Sequence, residues 1–435
     1  EKSVAPGLES QIRFFIQDGV IDMCHLFRSE DSAPIPGHKE QTQDLPITSF
    51  DPEFVYIPCV DSRGNPLIHA LEVSAAVKKG TLLGLRAPDD FPIYSSVSGT
   101  IEAKQERMTS SGRTRQCFVI HNDHKGEWDS LSPRKTADKT SVDEIVEAIK
   151  KSGVIGFGGA GFPTYRKFNS GKPCDALIIN AVECEPYLTT DYVYGAEQCE
   201  YAFLAIPYLL KASGAKRVFF CTKKDKPALI DACEKWRKKY SSLPVELVLA
   251  KDAYPMGYER NLVTLVTGKE YEHIPIEAGC IVDNIYTYIA LGRYFTQGKS
   301  ADRRCVTVSG EVAKPMNILA PYGVLAEDFL SLAGFKAEDD LKIVNGGPRN
   351  GNVLSDGHYV LLQQADGITI RKKSSFRQEP CWHCGNCCEA CPMDLQPVQI
   401  QMAYQAKDLQ RRIELKADRC CGCGLCSYSC PSRIE

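Results

Sequence analysis

Apolar residues change their rhythm several times along this chain of 435 residues. From residue 141 the spacing is helical. Val142, Ile145, Val146 and Ile149 fall at i, i+3, i+4 and i+7, Ser141 stands as N-cap, and Glu144 completes a capping box. Then come "DALIINAV" (175–182), a buried-strand run, and "CEYAFLAIPYLLKAS" (199–213), a helix. "RVFFCT" reads as a strand, "KPALIDACEKWRKKY" as a helix and "VELVLA" as a strand. Strands that alternate with helices predict a parallel sheet in an α/β unit ending near residue 300. Upstream, short apolar runs broken by Gly and Pro over 55–123 predict a small β-sandwich, with "VKKGTLLG" paired to "SSVSGTIEA". Downstream, two short strands, a helix and the strand of "DLKIVNGGP" predict a small α+β module of the β-grasp kind over 303–370.

The intervening text supplies the boundaries. Residues 32–54 are Pro-rich and polar, so 1–54 is expected to be an extended segment, and 124–140 is a polar, Lys-rich linker. Residues 376–435 are cysteine-rich and mostly helical between their motifs. The fold class is therefore multidomain α/β: extended segment (1–54), β-sandwich (55–123), α/β unit (141–300), β-grasp module (303–370) and cysteine domain (376–435). The β-sandwich resembles lipoyl- and biotinyl-type domains. No lysine sits at the hairpin tip those domains modify, which disfavours a swinging-arm carrier.

Composition narrows the function. Apolar content is 43%, charged content 25% and net charge −3, an ordinary globular balance without an electrostatic footprint for nucleic acid. Runs such as "AFLAIPYLL" are far shorter than the ~18 residues a bilayer span needs. The opening "EKSVAPGLES" lacks a leader pattern, so an intracellular protein that can dock on a membrane partner is expected. Of 20 cysteines, half lie scattered over 1–305 and half crowd into 381–430. Crowding without a leader points to metal rather than to a disulfide scaffold.

The crowded cysteines form two runs of C-x2-C-x2-C-x3-C-P: Cys381, Cys384, Cys387 and Cys391, then Cys420, Cys423, Cys426 and Cys430. This is the bacterial ferredoxin spacing for [4Fe–4S] clusters, in which the fourth cysteine of each run ligates the other cluster. Zinc is the competing reading, but zinc pairs have a longer insert between them. Cys388 and Cys421 fall outside the spacing.

"GVIGFGGAGFPTYRKF" (153–168) holds four glycines in six positions. Gly156, Gly158 and Gly161 satisfy G-x-G-x-x-G, but the loop follows a helix, whereas the dinucleotide fingerprint follows a strand. A tight structural turn and a nucleotide cradle both remain open on the loop alone. Lys167 stands near enough to meet a phosphate, and Asn180, Glu183 and Glu185 follow at the end of the next strand.

Together "GVIGFGGAGFPTYRKF" and "INAVECEPYLTTDY" resemble the flavin-loop and acidic motifs of the NADH-oxidising flavoprotein subunit of respiratory complex I. The chain resembles still more closely the RnfC family of Rnf electron-transport complexes, ferredoxin:NAD oxidoreductases of bacterial membranes. That resemblance includes "PIPGHKE", "YPMGYERNLVTLVTGKE", "VDNIYTYIAL", "VTVSGEVAKP" and both cysteine runs. It implies FMN against Gly156, Gly158, Gly159 and Gly161, with Lys167 near its phosphate or ring and Asn180, Gly257, Asn284 and Thr287 around it. Glu183, Glu185 and Glu259 would line the nicotinamide side of NAD(H), and Phe162 is a candidate stacking ring. The sequence departs from the complex I pattern at Val182, where an acidic residue is expected, and at Tyr258 in "GYE".

The resemblance further implies a peripheral subunit without transmembrane segments on the cytoplasmic face of the cell membrane. Its partners would be membrane-embedded and cluster-bearing subunits, with ferredoxin reached indirectly, and electron flow would be coupled to ion translocation. A soluble cobalamin-reductase-like protein and a cluster-bearing scaffold without nucleotide are the alternatives.

Overall fold

The computed structural model describes residues 35–61, 63–129, 135–159, 161–373 and 376–434. The first 34 residues, which include Cys24 and the start of the expected extended segment, lie outside the described residues. The rest of that segment carries a short 3-10 turn at Lys39–Gln41 and a strand, β1 (Ile47–Ser49), that joins a sheet formed much later in the chain.

The next unit is all β: β2 (Phe54–Pro58), β3 (Ala76–Val77), β4 (Leu82–Arg86), β5 (Phe91–Tyr94), β6 (Gly99–Thr109) and β7 (Thr114–Asn122). β6 and β7 form a long antiparallel hairpin flanked by β3 and β2, and β4 pairs with β5. Val55, Ile57, Leu83, Val97, Phe118 and Ile120 pack between the layers. Val77 meets Gly99, as the sequence pattern predicts, whereas Leu82–Arg86 turns back on Phe91–Tyr94 instead.

In the α/β unit, α1 (Val142–Lys151) starts at the predicted capping box: Ser141 Oγ accepts from Glu144 N, and the Glu144 carboxylate accepts from Ser141 N. Then follow α2 (Tyr165–Phe168), β8 (Ala176–Ala181), α3 (Thr190–Ser213), β9 (Arg217–Lys223), α4 (Pro227–Lys239), β10 (Val245–Ala250), α5 (Glu259–Thr267), β11 (Cys280–Asn284) and α6 (Ile285–Gln297). The four strands are parallel in the order β10-β9-β8-β11. Their side chains alternate between two cores. Leu177, Ile179, Phe220 and Ile281 face α3 and α6, while Ile178, Phe219, Val248 and Val282 face α5. α3 begins nine residues earlier than the pattern predicts. Gly195 in its first turns is a poor helix former, but it lets α6 approach closely: a Cβ there would lie 2.9 Å from Ile285 Cδ1, which would have to move aside.

The third unit holds β12 (Arg303–Gly310), β13 (Met316–Pro321), α7 (Ala326–Leu332), β14 (Leu341–Asn345), β15 (Asn352–Leu354), β16 (Tyr359–Val360) and β17 (Gly367–Lys372). Its sheet runs β1-β13-β12-β17-β14-β15, while β16 joins the edge of β6. The cysteine region has four short helices: α8 (Asn386–Glu389), α9 (Pro397–Gln405), α10 (Leu409–Glu414) and α11 (Leu425–Tyr428). Among the described residues no helix is long and apolar enough to cross a membrane.

Candidate functional site

From β8 the chain steps to β9 and β10 on one side, then returns to place β11 on the other. The order therefore reverses between β8 and β11. Carboxyl ends of parallel strands at such a reversal leave a crevice that no crossover covers. Asn180, next to last in β8, and Asn284, which ends β11, are register partners across the reversal.

The glycine loop lies over this point. Ile155 bridges to Pro163, and Gly156 N donates to Phe162 O at 2.7 Å, which closes the loop on itself. Phe157 N donates to Thr287 Oγ1 at 3.1 Å and anchors the loop to the first turns of α6. Gly158 has φ +73° and sits so near Asn284 that a Cβ would lie 3.0 Å from its Nδ2. A Cβ on Gly159 would meet nothing within 4 Å.

Lys167, on α2, reaches under the loop. Its Nζ donates to Val282 O at 2.6 Å and to Asp283 Oδ1 at 2.8 Å, with Glu259 Oε1 at 3.8 Å. Burial pulls the Lys167 pKa down, but the Asp283 and Glu259 carboxylates outweigh it and hold the ammonium above its usual value. The crevice therefore contains an ammonium held between two carboxylates.

The other expected flavin contacts are partly occupied by the protein itself. Asn180 Nδ2 donates to Gly257 O at 2.8 Å, and its Oδ1 accepts from Val182 N at 3.0 Å. Asn284 Oδ1 caps α6 by accepting from Tyr286 N at 2.8 Å, and its Nδ2 donates to Asp191 Oδ2 at 2.6 Å. Thr287 is fully buried. Gly257 acts as scaffold, since a Cβ there would lie 2.0 Å from Val182 O. The residues nevertheless fit a flavin mononucleotide. The face at Gly159 is open, a fixed cation stands behind the loop, and Asp283 Oδ2 and Asp191 Oδ1 are buried without a hydrogen-bond partner among the described residues.

The glutamates do not gather at one point. Glu183 is buried; its Oε1 accepts from Thr190 Oγ1 at 3.2 Å and Asp191 N at 3.0 Å, holding the first turn of α3. Its Oε2 accepts no hydrogen bond among the described residues and lies 3.8 Å from Lys39 Nζ. Glu185 Oε1 accepts from Arg349 N at 2.6 Å and Asn350 N at 3.2 Å, in the loop after β14. Burial pushes the Glu185 carboxyl up to about 7 against the pull of those two amides. Glu259 is exposed at the start of α5, and Phe162 is 45% exposed with the Arg166 guanidinium 5.8 Å from its ring centre.

Sequence reasoning missed Lys39, Asp191 and Asp283. Lys39 Nζ donates to the carbonyls of Glu185 and Leu188, far along the chain, and no local spacing announces that contact. Asp283 stands beside Asn284 in "VDNIY", and its adjacency to a strand end was the available signal.

The cysteine region packs against the loop before α5, the loop after β14 and the segment after α5. Tyr254 Oη donates to Cys423 O at 2.8 Å and lies 2.9 Å from Tyr258 Oη, which in turn donates to Asn350 Oδ1 at 2.6 Å. Arg349 stacks 4.0 Å from the Tyr428 ring centre, and Arg419 pairs with Glu270 at 2.9 Å. Cys391, the last of the first run, lies within electrostatic reach of Cys420 and Cys423 in the second. Cys423 is buried, while Cys384 and Trp382 are exposed.

Three family models match the chain: an RnfC barrel sandwich hybrid domain over 30–125, a Nuo51 FMN-binding domain over 149–293 and a 4Fe-4S dicluster domain over 368–434. Curated relatives match over most of the chain. The C component of the proton-translocating ferredoxin:NAD(+) oxidoreductase complex of Clostridium ljungdahlii is 30% identical over 384 residues, 85% of this chain and 83% of that protein. The C component of the Na(+)-translocating ferredoxin:NAD(+) oxidoreductase complex of Acetobacterium woodii is 31% identical over 382 residues, covering 84% of both proteins. The C component of the ion-translocating oxidoreductase complex of Vibrio cholerae is 30% identical over 391 residues, 87% of this chain but 50% of that longer protein.

Proposed function

The chain belongs to the RnfC family of ferredoxin:NAD(+) oxidoreductase complexes, and from that premise we propose that it exchanges electrons between NAD(H), FMN and two [4Fe–4S] clusters. It is an electron-transfer subunit of such a complex and an oxidoreductase. The observation that carries the finer reading is the Asn180–Asn284 pair at the strand-order reversal, under a glycine loop with one open face. FMN would supply the exchange between a two-electron hydride carrier and one-electron clusters.

The chain's own residues divide the work. Gly156, Gly158, Gly159 and Gly161 let backbone approach the ring and phosphate. Lys167 is held in place by Asp283 and Glu259 and offsets the phosphate charge. Asn180, Asn284 and Thr287 set the shape of the crevice, and Gly257 fixes Asn180. Phe162 offers an exposed ring for stacking, and Glu185, Glu259 and Glu183, whose Oε2 faces Lys39 without a hydrogen bond, would line the nicotinamide side. Cys381, Cys384 and Cys387 with Cys430 would hold one cluster, and Cys420, Cys423 and Cys426 with Cys391 the other. The divisions at 55–123, 141–300, 303–370 and 376–435, with a β-grasp module third, belong to this reading. So do membrane-embedded and cluster-bearing partners, indirect contact with ferredoxin and a peripheral place on the cytoplasmic face.

The test is the visible spectrum of anaerobically reconstituted protein before and after NADH. Flavin and cluster absorbance that both bleach with NADH are expected. Clusters without flavin, or a flavin that only dithionite bleaches, would reject the reading.

A further inference from the structure

Behind the glycine loop, on the side of Gly153, Ile155 and Gly161, lies a cleft of about 420 Å³. The β-sandwich supplies one wall, the loop's flanks a second, and Tyr322, Gln363 and Gln364 of the third unit close it. Three arginines line it: Arg86 at the end of β4, Arg113 in the β6–β7 turn and Arg115 on β7.

Arg86 and Arg113 form no ion pair among the described residues. Asp89, the carboxylate nearest Arg86 in sequence, is taken by the Arg166 guanidinium at 2.7 Å and by the Tyr165 hydroxyl. Arg86 instead stacks 5.0 Å from the Phe91 ring centre, and burial holds its guanidinium below the usual value. The one carboxylate in the lining, Asp61, is spent on its own turn: it accepts from Arg63 N and Asn65 N through Oδ1 and from Asn65 Nδ2 through Oδ2. The Gln364 amide has no hydrogen-bond partner among the described residues, and its Oε1 would lie 3.7 Å from a Cβ at Gly161. Asp89 and Asp61 act on Arg86 only at longer range, so the partly desolvated guanidinium has no carboxylate in contact, and an anion entering the cleft would fill that place. Guanidinium forks match the oxygens of phosphate, and several around one cleft favour an anion with many oxygens over a single carboxylate. The volume lies within the ~300–1,000 Å³ range of small-molecule sites.

We propose that this cleft binds a phosphate-bearing small molecule, with Arg86, Arg113 and Arg115 lining it and the Gln364 amide as a polar contact beside Gly161. The proposal does not depend on the flavin assignment. Two sources share the chemistry: the ADP half of NAD(H), since Gly161 belongs to both the cleft and the loop, or a separate phosphorylated ligand that binds behind the flavin crevice.

Calorimetric titration of the full reconstituted chain with pyrophosphate, ADP and NAD+ tests this. Saturable binding of pyrophosphate or ADP is expected, weakened roughly tenfold or more in Arg86→Gln and in Arg113→Gln. Lys125→Gln, an exposed charge just beyond the β-sandwich, should leave it unchanged. ADP displaced by NAD+ one for one would assign the dinucleotide, and ADP bound equally with saturating NAD+ would assign a separate ligand. No saturable binding by the unaltered chain, or equal binding in both arginine variants, overturns the proposal. Equal weakening in Lys125→Gln overturns it as well. So does loss of flavin absorbance in Arg113→Gln, because the cleft would then belong to the flavin's own phosphate. Arg113 is exposed on a turn, so its variant keeps the test valid if Arg86→Gln does not fold.

Discussion

Single residues in this crevice separate into those that shape it and those left available. Gly159 is the clearest available position. A valine there meets no protein atom through its Cβ, so stability should change by no more than about 0.5 kcal/mol in a thermal melt. Flavin absorbance should nevertheless disappear while cluster absorbance remains. Full flavin occupancy in Gly159→Val would reduce the loop to a structural turn. Glu185 offers a pH test. Its folded-state pKa lies near 7 against an ordinary 4.5, because burial disfavours the carboxylate. Between those values the folded chain holds a proton that the unfolded chain has lost. The stability tied to that proton is therefore present below about pH 4.5 and is lost as pH rises through 7, at most about 3 kcal/mol. Glu185→Gln should flatten that part of the stability–pH curve, and identical slopes in the two proteins would place the titration elsewhere. Glu183 is a mixed case. Glu183→Gln keeps an oxygen for Asp191 N but loses the charge beside Lys39. It should leave FMN in place and slow flavin bleaching by NADH in stopped flow, by roughly tenfold or more if that charge orients the dinucleotide.

At the level of elements, the loop before α5 matters more than its sequence suggests. Gly257 presses on the Val182 carbonyl and holds Asn180 through its own carbonyl. Gly257→Ala must push the two strand-end segments apart, a strain of about 1–3 kcal/mol. Flavin affinity is expected to fall and cluster content to stay. Retained affinity would show that the crevice tolerates the shift. Helix α3 likewise sets Gly195 close against Ile285 of α6, a contact between two helices that no single-segment pattern contains. The cysteine runs make an element-level prediction too. Cys391 lies by Cys420 and Cys423, so Cys391→Ser should perturb the electron paramagnetic signal of the cluster held by the second run. A change confined to the cluster of Cys381–Cys387 would mean that the fourth ligands are not exchanged.

On the scale of the whole molecule, the second cysteine run is tied to the loop before α5 through Tyr254 and Cys423, and the first leaves Cys384 and Trp382 exposed. Tyr254→Phe removes the tie to Cys423 O. It should slow cluster reduction by NADH in a stopped-flow trace while dithionite reduction proceeds as before, and equal slowing of both would mean that the clusters themselves are damaged. Much of this architecture was legible from the sequence. The C-x2-C-x2-C-x3-C-P runs of a 4Fe-4S dicluster domain, the Ser141–Glu144 capping box and the strands 175–182 and 217–222 are local patterns, and local spacing suffices to mark such a domain, a helix start and buried strands. The tertiary structure decided what depends on contacts between distant segments. It joined Ile47–Ser49 to β13, laid Lys39 against the carbonyls of Glu185 and Leu188, paired Asn180 with Asn284 and turned Arg86 and Arg115 toward the back of the glycine loop. Each of these brings together residues dozens to hundreds of positions apart, and their proximity follows from sheet order and packing, which no window of sequence contains.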